Sequence, residues 1–92
     1  MTIDQNRDEI LRIAAQHGAR NVRIFGSVAR GDDRADSDVD LLVDVGPQPS
    51  AWFPGCLVAD LEQLLGRRVQ VVTERGLDEL LSARVRAEAV PL

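Results

Sequence analysis

The residues best placed to do chemistry are a Gly-Ser pair and two aspartates. Gly26-Ser27 is followed, after ten residues, by Asp38-Val39-Asp40. Residues two apart on a strand send their side chains to one face. Asp38 and Asp40 would therefore present two carboxylates side by side, with Cα atoms about 6.5 Å apart. Like charges this close repel, so a bare pair makes a poor stability device. Divalent cations relieve the repulsion, and Mg²⁺ favours such oxygen ligands, completed by phosphate and water. The Gly-Ser pair supplies the other half. Placed between a strand and a helical turn, it offers backbone N–H groups and a hydroxyl to an anion, and helix starts favour phosphate.

Other uses of these residues fail on detail. Asp36, Asp38 and Asp40 mimic positions 1, 3 and 5 of a calcium-binding EF-hand loop. Position 6 would need glycine but is Leu41, and position 12 would need glutamate but is Pro47. A phosphatase-type aspartyl nucleophile normally ends an apolar strand, whereas here the apolar run follows the pair. Sugar-nucleotide transferases with an Asp-x-Asp motif need a far longer chain. His17 and Cys56 could be imagined as a thiol-protease pair, but the sequence around them reads as a helix-end histidine and a small buried cysteine.

The elements that must position the aspartates follow from hydropathy patterning. Asp4 can cap a first helix running to about residue 16, with Ile3, Ile10, Leu11 and Ala14 on one stripe and Gly18 at its left-handed end. Residues 22–25 form a short strand, and 28–30 a helical turn stopped by Gly31. Asp32, Asp33 and Asp36 are turn formers. The clearest strand is 38–45, where Val39, Leu41, Val43 and Val45 share one face and Asp38, Asp40, Leu42 and Asp44 the other. Ser50 could cap a helix carrying Leu57, Val58, Leu61, Leu64 and Leu65, which stops at Gly66. Residues 68–73 make a third strand. Leu77, Leu80, Leu81 and Val85 suggest a last helix before Pro91. Trp52 and Phe53 read as core or as a partner-facing patch, with a slight lean towards the core, and Arg67-Arg68 reads as surface charge. The order α-β-(short α)-β-α-β-α gives an α/β (α+β) fold, a small mixed β-sheet with helices packed on it, in a single domain spanning 1–92.

Composition narrows the function. The 92 residues carry a net charge of −4, and all 11 basic residues are arginine. With no lysine, the Walker-type phosphate loop is excluded. The acidity sits in residues 28–44, where six aspartates face two arginines. Overall acidity argues against stable nucleic-acid binding. No apolar run is long enough to suggest a membrane span, no signal peptide is visible, and a single cysteine cannot form an internal disulfide. A cytoplasmic location is expected.

The stretch VRIFGSVARGDDRADSDVDLLV, residues 22–43, resembles the signature of the DNA polymerase β-type nucleotidyltransferases. The remainder resembles their minimal, stand-alone members, including residues 61–73 and the ending Ala89-Val90-Pro91-Leu92, so that the likeness spans roughly residues 5–92. The resemblance implies that Asp38 and Asp40 are catalytic and hold Mg²⁺, and that Gly26 and Ser27 grip the β- and γ-phosphates of ATP. Ser37 and Arg30 match the signature too and are implied as supporting or phosphate-contacting groups. An acceptor hydroxyl would attack the α-phosphorus and pyrophosphate would leave. Minimal members often accompany a HEPN-type toxin as its antitoxin, and characterised examples transfer AMP to a tyrosine of that toxin. This chain has no tyrosine, so tyrosine self-modification is excluded.

One position departs from the pattern. The family usually carries a third carboxylate on the strand after the leucine-rich helix, in a sequence like Arg-x-Val-Asp. Here that stretch is Arg67-Arg68-Val69-Gln70. Glutamine brings no charge and cannot act as a general base. Glu74 is four residues on, about 13 Å along an extended strand, and Asp44 is equally far from Asp40. Two functions therefore compete: an AMP-transferring enzyme, favoured by Gly26, Ser27, Asp38 and Asp40, and a catalytically impaired antitoxin that neutralises its partner by binding, favoured by Gln70. A transferase acting on RNA or a small molecule fits less well, given the acidic balance and the lack of room for an RNA-binding domain.

Overall fold

Apolar residues at every second position of 39–45 build the strand around which the molecule is arranged. A computed structural model describes residues 3–32, 34, 37–76 and 79–92. In chain order the elements are α1 (Arg7–Gln16), β1 (Ala19–Phe25), α2 (Gly26–Arg30), β2 (Val39–Val45), α3 (Gly55–Leu65), β3 (Val69–Thr73), α4 (Glu79–Glu88) and β4 (Val90–Pro91). The sheet order is β3-β2-β1-β4. β2 runs antiparallel to β1 and parallel to β3, and α3 provides the crossover that a parallel pair requires. The expected mixed sheet with packed helices is observed.

One face of the sheet carries the main core. Val39, Leu41 and Val43 of β2 join Val22 and Ile24 of β1 and Val69 of β3. Against them lie Ile10, Ile13 and Ala14 of α1 and Leu57, Leu61 and Leu65 of α3. The leucine spacing of α3 therefore does what its period predicted. On the other face α2 packs against β1, β2 and α4. Leu42, which shares this face with Asp40 and Asp44, is fully buried, and so is most of Val85.

The structure departs from sequence expectation at several points. A 3-10 turn (Asp4–Asn6) precedes α1, so Asn6 rather than Asp4 holds the cap position, without a side-chain capping bond. Gly18 does follow the helix, at φ 84°. It has a second reason to be glycine, because a Cβ there would come 2.7 Å from Pro49 Cα where loop 46–50 crosses over. β1 starts three residues earlier than predicted. Its register with β2 shifts between Arg20 and Arg23, and Asn21 takes a left-handed φ of 51°. This bulge lets Ala19 and Val22 both face the core, which strict alternation forbids. α2 begins at Gly26, directly on the end of β1.

Ser50 does not cap α3, which begins five residues later after a turn. Phe53 packs against the core as expected, but Trp52 is 90% exposed, at φ 63°. The C-terminus adds an edge strand, β4, paired with β1, and Leu92 N–H donates to Val22 C=O at 3.0 Å. Proline is tolerated there because an edge strand can lack a donor. Asp33, Asp36 and Leu77 lie outside the described residues, as do the side chains of Leu80 and Leu81. Among the described residues, no helix is long and apolar enough to cross a membrane.

Candidate active site

Strand register brings the site together. Phe25 pairs with Asp40 on one side of β2, and Gln70 pairs with Asp40 on the other. Since Gly26 follows Phe25, the turn from β1 into α2 lies directly against the Asp40 side chain. A Cβ built on Gly26 would collide with Asp40 Oδ2, and Gly26 stands at φ 75°. Contact and backbone both require glycine. Gly26→Ala is expected to lower the melting temperature by several degrees, reflecting strain of about 1–3 kcal/mol. It is also expected to lose nucleotide binding, because the Gly-Ser amides and Asp40 can no longer sit together. Thermal melts and calorimetric titration with ATP and Mg²⁺ would check both.

The two carboxylates differ in surroundings. Asp38 precedes the first residue of β2, and Arg68 Nε lies 3.5 Å from its Oδ1. Asp40 is more enclosed. Burial pushes its pKa up, the Asp38 charge adds to the rise, and Arg30 opposes it. Such a pair has a standing electrostatic deficit that a divalent cation would remove. Among the described residues no third His, Cys, Asp or Glu joins the pair in a metal-holding group. That donor set fits Mg²⁺, which takes one or two carboxylates and fills the rest of its shell with phosphate and water.

The remaining residues singled out by sequence are placed as follows. Ser27 is the second residue of α2, and its carbonyl accepts Asp32 N–H. Arg30 ends α2 and pairs with Asp32 and with Glu88 of α4. Ser37 Oγ accepts Arg34 N–H at 2.8 Å, so in this structure the hydroxyl ties the residue before Asp38 to Arg34. Arg68 is exposed, as expected of surface charge, but Arg67 is not: its guanidinium reaches the carbonyls of Arg34 and Ser37. Sequence pattern could not have found that contact, because the partners are thirty residues away and offer only backbone.

Among the described residues, Glu74 and Asp44 are candidates to replace the missing carboxylate. Glu74 binds Arg23 and Arg86, and Asp44 binds Arg23 and Asn21. Asp44 is held below its ordinary pKa of 3.8 and Glu74 below its ordinary 4.5. For Asp44 the Asn21 hydrogen bond leads, with Arg23 behind it; for Glu74 the Arg23 hydrogen bond leads, with Arg86 behind it. Neither is available beside Asp40. A depressed carboxylate pKa stabilises the fold above the unfolded value, and the gain is lost as pH falls through the folded one. Arg23→Met is thus expected to lower the melting temperature at pH 7, with the gap to wild type closing as pH falls below about 4. Melts across pH would show it, and a constant gap would contradict it.

His17 and Cys56 do meet, in company the sequence did not reveal. His17 Nδ1 lies 2.8 Å from Ser50 Oγ and 3.2 Å from Cys56 Sγ, and Nε2 lies 2.7 Å from Asp60 Oδ2. The thiol also donates to Ala51 C=O at 3.1 Å. Ser50 is the nearer partner of Nδ1, so the cluster ties loop 46–51 to the ends of α1 and α3. It sits at the opposite end of β1 from Gly26.

Known proteins share this fold. Residues 7–92 match the family model described as a nucleotidyltransferase domain. A relative from Methanocaldococcus jannaschii, provisionally named a protein adenylyltransferase, is 37% identical over 90 residues, covering 98% of this chain and 97% of its own. A second, protein adenylyltransferase MntA of Thermococcus cleftensis, is 41% identical over 73 residues, 79% of this chain and 74% of its own. A solved structure provisionally described as a minimal nucleotidyltransferase superposes with a TM-score of 0.86 at 45% identity, covering 100% of this chain and 97% of that one. A toxin–antitoxin crystal structure with AMP-PNP shares the fold, at a TM-score of 0.80 and 20% identity over 94% of this chain and 71% of that one.

Proposed function

The chain belongs to the nucleotidyltransferase domain family, and we propose that it transfers AMP from ATP to a hydroxyl of a partner protein, as the antitoxin of a toxin–antitoxin pair. The observation that carries this reading is the packing of Gly26 against Asp40, with Asp38 two residues earlier, just ahead of β2. A phosphate-holding turn and a carboxylate pair then share one small space.

In this scheme the Gly26 and Ser27 amides take the β- and γ-phosphates. Asp38 and Asp40 hold Mg²⁺, which when bound neutralises charge on the phosphate oxygens and orients them. Arg30 adds positive charge near Asp40, the side on which the carboxylates would otherwise repel a triphosphate. The acceptor hydroxyl oxygen forms a bond to the α-phosphorus and gives up its proton to solvent, while the bond from the α-phosphorus to the pyrophosphate oxygen breaks and pyrophosphate leaves. Positioning and charge neutralisation account for most of such catalysis. A HEPN-type toxin is the partner proposed, supported by the family resemblance and by the toxin–antitoxin character of the neighbouring solved structure. ATP as substrate goes with a cytoplasmic setting.

Intact mass of the partner, after incubation with this protein, ATP and Mg²⁺, tests the proposal. A gain of AMP units that disappears with Asp40→Asn supports it. An unmodified partner that co-purifies as a stable complex supports a second reading, in which the domain neutralises by binding. One observation favours that second reading: Gln70, not a carboxylate, stands beside Asp40, while Glu74 and Asp44 are engaged by arginines.

A further inference from the structure

Asp40 and Asp38 are held in different ways. Asp40 lies inside β2, with β1 and β3 paired on either side of it. Asp38 lies outside any regular element, at the end of the segment that joins α2 to β2. A ligand carried on such a segment must be fixed by other means, because groups that orient metal ligands matter nearly as much as the ligands themselves.

The fixing groups come from one place, the connection between α3 and β3. Arg67 Nη2 donates to Ser37 C=O at 2.9 Å, immediately before Asp38, and to Arg34 C=O at 3.1 Å. Val39 N–H, immediately after Asp38, donates to Arg68 C=O at 2.8 Å. Ser37 and Arg34 are also tied to each other. Ser37 N–H donates to Arg34 C=O at 3.0 Å, and Arg34 N–H donates to Ser37 Oγ at 2.8 Å. The neighbouring Val69 N–H is in turn held by Glu62 Oε2 of α3 at 3.0 Å, so the anchor is itself anchored.

We propose that Arg67 is a positioning residue, whose guanidinium fixes the peptide ahead of Asp38 so that both aspartates can meet one ion. The inference rests on the metal–nucleotide reading given above. Arginine suits the task because it stays charged and presents its donors in a rigid planar fork, so that one nitrogen with two hydrogens can serve two carbonyls. A lysine ammonium on a flexible stem can reach a carbonyl without fixing the plane of the peptide.

The test uses wild type, Arg67→Met, Arg67→Lys and Asp38→Ala. Each is titrated calorimetrically with Mn²⁺ in the presence of a non-hydrolysable ATP analogue, alongside thermal melts and amide hydrogen exchange. Arg67→Met is expected to weaken Mn²⁺ binding about tenfold, at the lower end of the range for outer-shell groups, with Arg67→Lys in between. The Ser37 and Val39 amides should exchange faster, while Leu41 and Val43 stay protected. Unchanged Mn²⁺ affinity in Arg67→Met would overturn the inference. So would a loss of affinity matched by faster exchange throughout β2, which would make Arg67 a general stabiliser. Should Arg67→Met fail to fold, Arg67→Lys decides by the same criteria. Failure of the underlying reading looks different: wild type would not take up Mn²⁺, or Asp38→Ala would take it up equally well.

Discussion

Asp40→Asn is expected to abolish Mg²⁺-dependent ATP binding and to leave the metal-free protein more stable than wild type at neutral pH. The loss follows from geometry, since Asp40 is the carboxylate against which Gly26 packs and the asparagine amide carries no charge. Transfer should fall by about 10²–10³-fold or more, the range for deleting one preorganised electrostatic group. The gain follows from linkage. The folded-state pKa of Asp40 lies above its ordinary 3.8, with burial as the first cause and Asp38 as the second. In that case the native state binds more protons than the unfolded chain just above the unfolded value. Stability contributed by this group is present at low pH and is lost as pH rises through the folded pKa. At pH 7 the ionised Asp40 therefore works against folding until a cation arrives. Melts in chelator at pH 7 should place Asp40→Asn above wild type, and added Mg²⁺ with ATP should raise only wild type. A variant that melts lower in chelator, or still gains from Mg²⁺, would contradict the electrostatic account of the site.

Gln70→Asp is expected to raise the rate of AMP transfer by about 10²–10³-fold, within the range that a general base contributes. The register pairs position 70 with Asp40 on adjacent parallel strands, so paired side chains leave the sheet on one face. Gln70 is exposed, and a carboxylate one methylene shorter would cost little packing. It would add a proton acceptor on the side of Asp40 away from the phosphate turn. It would also add a third negative charge, so metal-free stability should drop. Single-turnover mass spectrometry on the partner protein would measure the rate. An unchanged rate in a folded variant would remove Gln70 as the explanation for weak activity and leave neutralisation by binding as the working function.

The parts of the site that could be read from sequence are those with local causes. Alternation over residues 39–45 fixed the face of Asp40, and a glycine at the end of an apolar strand marked the turn. The leucine spacing of α3 was equally plain, because an amphipathic period needs only its own residues. What escaped depends on distant partners. Nothing local shows that Gln70 lies in register with Asp40, because that pairing is set by the length of α3 and the loops around it. The bulge at Asn21 hid the first half of β1, since it breaks the alternation on which a strand is recognised. Arg67 looked like charge on a surface because its partners are carbonyls of a remote turn. β4 is too short to have a period at all. The assignment of Trp52 to the core rested on residue type alone, and here the backbone turns the ring outward at a position flanked by prolines 49 and 54.

That outward ring decides how this protein can be watched. Trp52 is its sole indole, and there is no tyrosine. With the ring 90% exposed, its emission in the native state already resembles that of indole in water. Melting the sheet changes that environment little, so a fluorescence melt would report a flat line through a cooperative transition. Far-ultraviolet circular dichroism is the signal to follow for every variant above. The same silence is useful in titrations. With excitation selective for indole, a macromolecule that lacks tryptophan and covers this corner would shift the emission to the blue, whereas one that docks elsewhere would leave it untouched.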